Sequence, residues 1–169
     1  MNTAQHPLPA VMQTTSPEYI FLGVRMRVLL SSAQTGGQFS MIEGIMPPGG
    51  DGGLHIHHRE DESMFIIEGE MEVTIGDKVE TLGAGASYFA PRGVPQRLRN
   101  LGEKPVRCIV TTTPGGFDEF IAQAGIPLDG ATGHAATEMP AQQPTPEQMA
   151  DLLRLAKSFG IEILLPPGA

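Results

Sequence analysis

The stretch that decides the fold is Gly49-Gly50-Asp51-Gly52-Gly53-Leu54-His55-Ile56-His57-His58-Arg59-Glu60-Asp61-Glu62-Ser63-Met64-Phe65-Ile66-Ile67-Glu68-Gly69. If Leu54 to His57 is a strand, His55 and His57 point to the same face, because side chains alternate along a strand. A short turn then brings the carboxylate of Glu62 alongside the two imidazoles. These three side chains predict a metal site that suits iron, manganese, nickel, copper or zinc.

The other polar residues of this stretch receive different predictions. His58 has the opposite parity to the two candidate ligands, so we expect it to face away from the site. Glu60 and Asp61 follow the strand directly, and we expect both carboxylates to lie in a solvated turn.

The spacing of this stretch resembles the first signature of the cupin superfamily, G-x5-HxH-x4-E-x6-G, from Gly49 to Gly69. The second cupin signature, G-x5-PxG-x2-H-x3-N, is matched by Gly85, Pro91, Gly93 and Asn100. Agreement of two signatures at fixed offsets is far more specific than a single HxH pair. The resemblance covers residues from about Phe39 to Thr112.

Gln96 occupies the position where the second signature has a histidine that ligates the metal. An amide oxygen is a weaker and harder ligand than a neutral imidazole. Three outcomes therefore stay open. Gln96 ligates the metal through its oxygen, or it hydrogen-bonds a metal-bound water, or the metal binds weakly and the pocket serves another purpose.

Short apolar runs separated by glycine and proline turns predict an all-β sandwich or barrel. The resemblance implies a double-stranded β-helix, the jelly-roll cupin barrel, with short peripheral C-terminal helices. We expect an N-terminal arm over residues 1–17, the barrel over 18–114 and a helical extension over 115–169. Phe117 to Ala124 has helical spacing, and Thr145-Pro146-Glu147-Gln148 is a helix start that leads to Gly160. Alternation along the strands makes some of six residues cavity candidates: Met41, Met64, Phe65, Ile67, Tyr88 and Phe89.

Composition and charge limit the partners. The formal net charge of −8 argues against nucleic acid and anionic membranes, because both bind basic surfaces. Cys108 is the only cysteine, and its apolar neighbours predict a buried, inert thiol. No signal-peptide pattern opens the sequence and no apolar run approaches membrane-spanning length, so we expect a soluble, cytoplasmic protein. The resemblance to cupins implies a homodimer.

The Pro91-Arg92-Gly93 turn and the segment Gly160-Ile161-Glu162-Ile163-Leu164 resemble quercetinase-like cupins. This likeness implies a metal-dependent dioxygenase for a flavonol-like or other enolic, aromatic small molecule, with Glu62 as the candidate catalytic residue. The main alternative is a cupin that binds or senses a small molecule without chemistry. A sugar-nucleotide epimerase or sugar isomerase is a weaker alternative, since no cluster of Arg and Lys for phosphate is evident near the motif.

Overall fold

The computed structural model describes residues 16–128 and 145–165, which form two antiparallel sheets and two short helices. This architecture confirms the predicted all-β jelly roll. The predicted arm falls almost entirely on residues 1–15, which lie outside the described residues. Residues 129–144 and 166–169, which belong to the predicted helical extension, also lie outside the described residues.

The strands are short and follow one another closely along the chain. In chain order, the strands of the described residues are β1 (Glu18–Phe21), β2 (Val24–Leu30), β3 (Ser40–Met46), β4 (His55–His57), β5 (Asp61–Glu68), β6 (Glu70–Ile75), β7 (Lys78–Gly83), β8 (Ser87–Ala90), β9 (Gln96–Arg99), β10 (Val106–Thr113), β11 (Ile126–Leu128) and β12 (Ile161–Ile163).

The strands divide into a large sheet and a small sheet. The large sheet has the order β11-β1-β2-β3-β10-β5-β8, and the small sheet has the order β12-β4-β9-β6-β7. Alternate residues of each strand turn inward, as in β10, where Val106, Cys108 and Val110 are buried. Apolar side chains from both sheets form one core cluster, which includes Met46 and Met64 of the large sheet. Burial of one face of each sheet fixes the strand register, because a slip of one residue would expose that face.

Two helices follow the last long strand. The helix α1 spans Phe117–Ala124, as the sequence predicts, and buries Phe120 and Ile121 in a second apolar cluster. The helix α2 spans Pro146–Ser158, and its N-terminus has the predicted capping box, in which Thr145 accepts a hydrogen bond from the backbone of Gln148. Among the described residues, no helix is long and apolar enough to cross a membrane.

The segment after the long strands also contributes to both sheets. The sequence did not predict β11, which pairs with β1 at the edge of the large sheet. The strand β12 pairs with β4, so that Ile161 lies opposite His57 and Ile163 lies opposite His55. The C-terminal segment therefore supports the strand that carries both candidate metal ligands.

Gly69 joins β5 to β6 at a point where a side chain has no room. Its φ of +86° lies in the left-handed region, which L side chains rarely adopt. A Cβ added at this position meets the carbonyl oxygen of Pro105 at 2.8 Å and the Cα of Val106 at 3.0 Å. Backbone strain and steric conflict with backbone atoms both oppose any larger residue here.

We therefore expect Gly69→Ala to lower the free energy of unfolding by about 1–3 kcal/mol, measured by urea denaturation. Gly83→Ala is the matched control, because an added Cβ there meets nothing within 4 Å. We expect the control to change stability by less than about 0.5 kcal/mol. Equal stabilities of the two variants would contradict the steric account.

Candidate metal centre

The two histidines of the HxH pair lie on a strand of only three residues. In the small sheet, β4 is held between β12 and β9. The rings of His55 and His57 share one face, with centroids 5.2 Å apart and an interplanar angle of 71°. His57 is buried, and His55 lines a cavity inside the barrel. The predicted parity of the pair is therefore what the structure shows.

Glu62 approaches the two imidazoles from the large sheet. It lies on β5, and its carboxylate is buried. Each of His55, His57 and Glu62 offers one ligand atom, and these three atoms lie within 4.8 Å of one another. The Nε2 atom of His57 lies 3.4 Å from the Oε2 atom of Glu62. The three groups could hold one metal ion between the two sheets.

Gln96 lies beside this cluster on β9. It is the register partner of His55 and is 1% exposed. Its Oε1 atom is buried and has no hydrogen-bond partner among the described residues. The Nε2 atom of His57 is also buried and lacks a hydrogen bond within the part of the chain that the structure describes. Buried polar atoms normally have partners, so two unsatisfied atoms beside a carboxylate fit a site for a cation.

The Nδ1 atoms of both histidines are already engaged. His55 Nδ1 lies 2.9 Å from the carbonyl oxygen of Gly53, and His57 Nδ1 lies 2.9 Å from Oε2 of Glu60. Both oxygens accept hydrogen bonds, so in each neutral ring Nδ1 carries the proton and Nε2 keeps its lone pair. A histidine that ligates a metal typically has this arrangement, with its other nitrogen donating to a carboxylate or carbonyl.

The expectation that Glu60 lies in a solvated turn is wrong. The residue is 5% exposed, and its carboxylate lies between His57 and the start of α1, where Gly116 leaves space for it. The turn after β4 bends back beneath the imidazole, a contact that alternation along a strand does not reveal. The separation of three residues between His57 and Glu60 was the signal available in the sequence. The expectation for His58 is confirmed, because it is exposed and pairs with Glu162 on the surface.

Tyr88 holds the other oxygen of Glu62. Its hydroxyl donates to Oε1 of Glu62 at 2.5 Å, which leaves Oε2 directed at His57. The pKa of Tyr88 is raised well above its ordinary value, chiefly by burial and then by the negative charge of Glu62. The hydroxyl therefore remains a proton donor to the carboxylate.

The two imidazoles have opposite pKa shifts. Burial lowers the pKa of His55, which favours the neutral ring that ligates metals. Burial also acts to lower the pKa of His57, but the hydrogen bond to Glu60 and the charges of Glu62 and Glu60 outweigh it and raise the pKa. The same negative surroundings that favour a proton on His57 also favour a cation beside it.

Alternation along β5 and β8 places the cavity candidates of these strands on opposite faces of the large sheet. Met64 and Tyr88 turn inward, and Met64 lines the interior cavity. Phe65 and Phe89 are on the opposite face of the large sheet and are exposed. Near the candidate ligands, the ring of Phe117 packs edge-on against His57, with centroids 5.3 Å apart.

Comparison with protein families finds a match over the segment that contains this centre. Residues 43–112 match a family model described as "Cupin domain". The matched range includes His55, His57, Glu62 and Gln96, together with both signatures found in the sequence.

Curated proteins of several kinds are similar to parts of the chain. The germin-like protein 1-1 of Oryza sativa is 31% identical over 121 residues, which cover 69% of this chain and 48% of that protein. The xanthan biosynthesis protein XanB of Xanthomonas campestris is 35% identical over 78 residues, 46% of this chain and only 17% of that protein. The polyketide synthase CurC of Streptomyces cyaneus is 26% identical over 120 residues, 70% of this chain and 71% of that protein. The chain thus spans about half of the germin-like protein and less than a fifth of XanB.

Solved structures show the same fold. A predicted oxalate decarboxylase from Thermotoga maritima superposes with a TM-score of 0.56 at 24% identity, covering 63% of this chain and 99% of that chain. An RmlC-like cupin from Shewanella frigidimarina superposes with a TM-score of 0.55 at 21% identity, covering 68% of this chain and 96% of that chain. At these identities the likeness concerns the fold alone.

The buried contact between Glu60 and His57 generates a prediction about metal affinity. We expect Glu60→Ala to weaken binding of Zn²⁺ or Co²⁺ about 10–100-fold, because the imidazole loses the partner that orients it. Glu60→Gln should weaken binding less, since its amide oxygen still accepts the Nδ1 proton. Affinity is measured by competition with a chromophoric chelator.

The matched control is Glu162→Ala, which removes a carboxylate from the exposed His58 pair. We expect this variant to bind metal like the wild type. Circular dichroism establishes whether each variant is folded. A folded Glu60→Ala protein with unchanged affinity would show that the contact does not support metal binding.

Proposed function

We propose that this chain, a member of the cupin superfamily, binds one divalent transition metal through Nε2 of His55, Nε2 of His57 and the carboxylate of Glu62. The observation that carries the proposal is the buried Nε2 of His57, which has no hydrogen-bond partner among the described residues and lies 3.4 Å from a buried carboxylate oxygen of Glu62. Two imidazole nitrogens and a carboxylate oxygen suit iron, manganese, nickel, copper or zinc.

We propose Gln96 as a fourth donor, through its Oε1 atom. Its burial and lack of a partner among the described residues support a role toward the metal or toward a water on the metal. Because an amide oxygen is neutral and harder than imidazole nitrogen, we expect this ligand to contribute less affinity than a histidine in the same place.

We further propose that the centre carries out dioxygenase chemistry on an enolic or aromatic small molecule, such as a flavonol-like compound. A metal held by these side chains would supply a site where oxygen and an organic substrate could be brought together. Glu62 lines the cavity, and Oε1 can accept the enolic proton while it keeps the hydrogen bond from Tyr88. Tyr88 holds the carboxylate of Glu62 and Glu60 holds the imidazole of His57 in place.

The similarity to polyketide synthase proteins supports an enolic substrate. CurC and the tetracenomycin polyketide synthase protein TcmJ of Streptomyces glaucescens each match about seven tenths of this chain at 26% identity. Polyketide chains carry β-dicarbonyl groups, which enolise readily and chelate metals. The flavonol within the proposal rests on the sequence likeness alone.

A cupin that binds a small molecule without chemistry is the second candidate function. Gln96 favours it, because the weaker donor reduces the affinity for a metal. The two functions differ in oxygen consumption, since binding alone consumes none.

We expect near-stoichiometric transition metal in the purified protein and its loss in His55→Ala, measured by elemental mass spectrometry. His58→Ala is the control, because this neighbouring imidazole is exposed and bound to Glu162. Absence of metal from the wild type, even after reconstitution with iron, manganese, nickel, copper and zinc, would overturn the metal site.

For the metal-loaded protein, we expect oxygen uptake on addition of an enolic substrate and its loss in a folded Glu62→Gln variant. Oxygen is followed with an electrode. Ligand-induced thermal stabilisation without oxygen uptake across enols of different size would support the binding function instead.

We also propose that the chain forms a homodimer through the outer face of the large sheet. Phe65 and Phe89 are 47% and 60% exposed there, beside Ile109. Adjacent exposed aromatic side chains on a flat sheet face are typical of protein interfaces. A second copy of the same face is the partner we propose, in line with the homodimer that the resemblance to cupins implies.

We expect light scattering to give the dimer mass for the wild type and the monomer mass for Phe89→Asp. Val79→Asp is the control, because Val79 is similarly exposed, at 58%, but lies on β7 of the small sheet. A monomeric wild type, or a Phe89→Asp variant that remains dimeric, would rule out this interface.

A further inference from the structure

We infer that the cavity beside the candidate metal centre takes a small, uncharged, largely apolar molecule, and that Leu22 limits its size. This inference narrows the substrate class within the proposed function, on which it rests. It depends on the volume of the cavity, the chemistry of its wall and the backbone of the hairpin that lines it.

The cavity is too small for a large aromatic substrate. Its volume is about 70 Å³, and His55 and Glu62 form its polar part. An apolar protein cavity of about 150 Å³ holds one benzene molecule. A space of half that volume accepts a short aliphatic or similarly small group. The three rings of a flavonol exceed it, so the cavity favours the smaller enolic substrates of the proposed function over the flavonol-like ones.

The wall offers no cation to a charged ligand. Apart from His55 and Glu62, the described residues that line it are apolar, glycine or Cys108, whose pKa burial raises to about 12 so that the thiol is neutral. The nearby arginines of β9 are engaged elsewhere, Arg97 with Asp51 and Arg99 with Glu72. In the metal-free protein, a phosphate or dicarboxylate in this cavity would face the carboxylate of Glu62 without a compensating side chain, which is strongly unfavourable.

Four methionines make the wall of the cavity flexible and polarisable. Met26, Met46, Met64 and Met71 all line the cavity. Methionine side chains are flexible and polarisable, so they adapt to small apolar ligands of varied shape. They also place four methyl groups around the space, and each can report directly on whether a ligand has entered.

Leu22 lines the cavity from the β1–β2 hairpin. Phe21, Leu22 and Val24 of this hairpin all line the space. Leu22 has a φ of +48° and the following Gly23 has a φ of +79°, in a two-residue turn that ordinarily favours asparagine before glycine. A leucine in the left-handed region is strained, and such strain persists where the side chain is needed. Here the side chain of Leu22 takes up space in the wall of the cavity.

The test titrates three uncharged ketones of increasing bulk, butanone, acetophenone and flavone, into protein labelled with ¹³C at the methionine methyl groups. We expect butanone to shift the signals of the four wall methionines, acetophenone to shift them weakly and flavone not at all. Signals of Met41 on β3 and Met149 on α2 are internal references, since neither residue lines the cavity. Acetate and inorganic phosphate should leave the four wall signals of the metal-free protein unchanged.

Leu22→Gly is the informative variant. Glycine adopts the left-handed backbone without strain, so the turn is retained while the side chain that limits the cavity is removed. We expect the affinity for acetophenone to rise at least tenfold. Leu101→Gly, which removes a leucine that is 65% exposed, should leave the order of affinities as in the wild type.

Each titration is made on zinc-loaded and metal-free protein, so that the two proposals fail separately. A protein that binds no metal but retains the size order contradicts the proposed metal centre and supports the cavity inference. Shifts of the wall methionines by acetate or phosphate in the metal-free protein overturn the cavity inference. Tight binding of flavone to the wild type also overturns the cavity inference. An unchanged order of ketone affinities in a folded Leu22→Gly variant would overturn it as well.

Discussion

Glu60 and Glu62 approach the imidazole of His57 at opposite nitrogens, Nδ1 at 2.9 Å and Nε2 at 3.4 Å. All three side chains are buried, and burial of charge is unfavourable unless the charges are compensated. When both carboxylates are ionised, a protonated His57 still leaves one negative charge uncompensated. A divalent cation beside a neutral His57 balances both carboxylates. The local charge therefore favours a metal over a proton at Nε2.

This arrangement depends on segments that are distant in the chain. The strand β4 has only three residues, and its position is fixed by pairing with β9 on one side and β12 on the other. The backbone N–H of His58 also donates to the carbonyl oxygen of Gly160, at the end of α2. Glu62 and Tyr88 come from adjacent strands of the opposite sheet. The site thus forms only when both sheets and the C-terminal segment are in place.

The fold and three candidate ligands could be predicted because they depend on local spacing. The two cupin signatures predicted the barrel. The period of two along a strand predicted that His55 and His57 lie on one face. Glu60 could not be placed in this way, because it follows the strand and its contact depends on the path of a turn. The pairing of β12 with β4 was also hidden, since a short apolar run does not indicate which strand it joins.

Local spacing was also insufficient to predict which residues line the cavity. Alternation states that only one of Met64 and Phe65 turns inward, but only the fold shows that it is Met64. The charge and size of the cavity depend on side chains from both sheets and from the β1–β2 hairpin, so no single stretch of sequence contains them. The left-handed backbone of Leu22 is likewise invisible in the sequence, because leucine is uncommon at that position.

Gln96 changes which residues would supply the metal affinity of the proposed centre. Gln96 stands where the second signature has a histidine, and its amide oxygen would supply a weaker bond to a transition metal than an imidazole nitrogen. The remaining ligands are correspondingly well supported, since Gly53 and Glu60 fix the two imidazoles and Tyr88 fixes one oxygen of Glu62. A carboxylate that accepts the Nδ1 proton raises the basicity of the ligating nitrogen. Glu60 thereby strengthens the bond that His57 can make and offsets part of what Gln96 lacks.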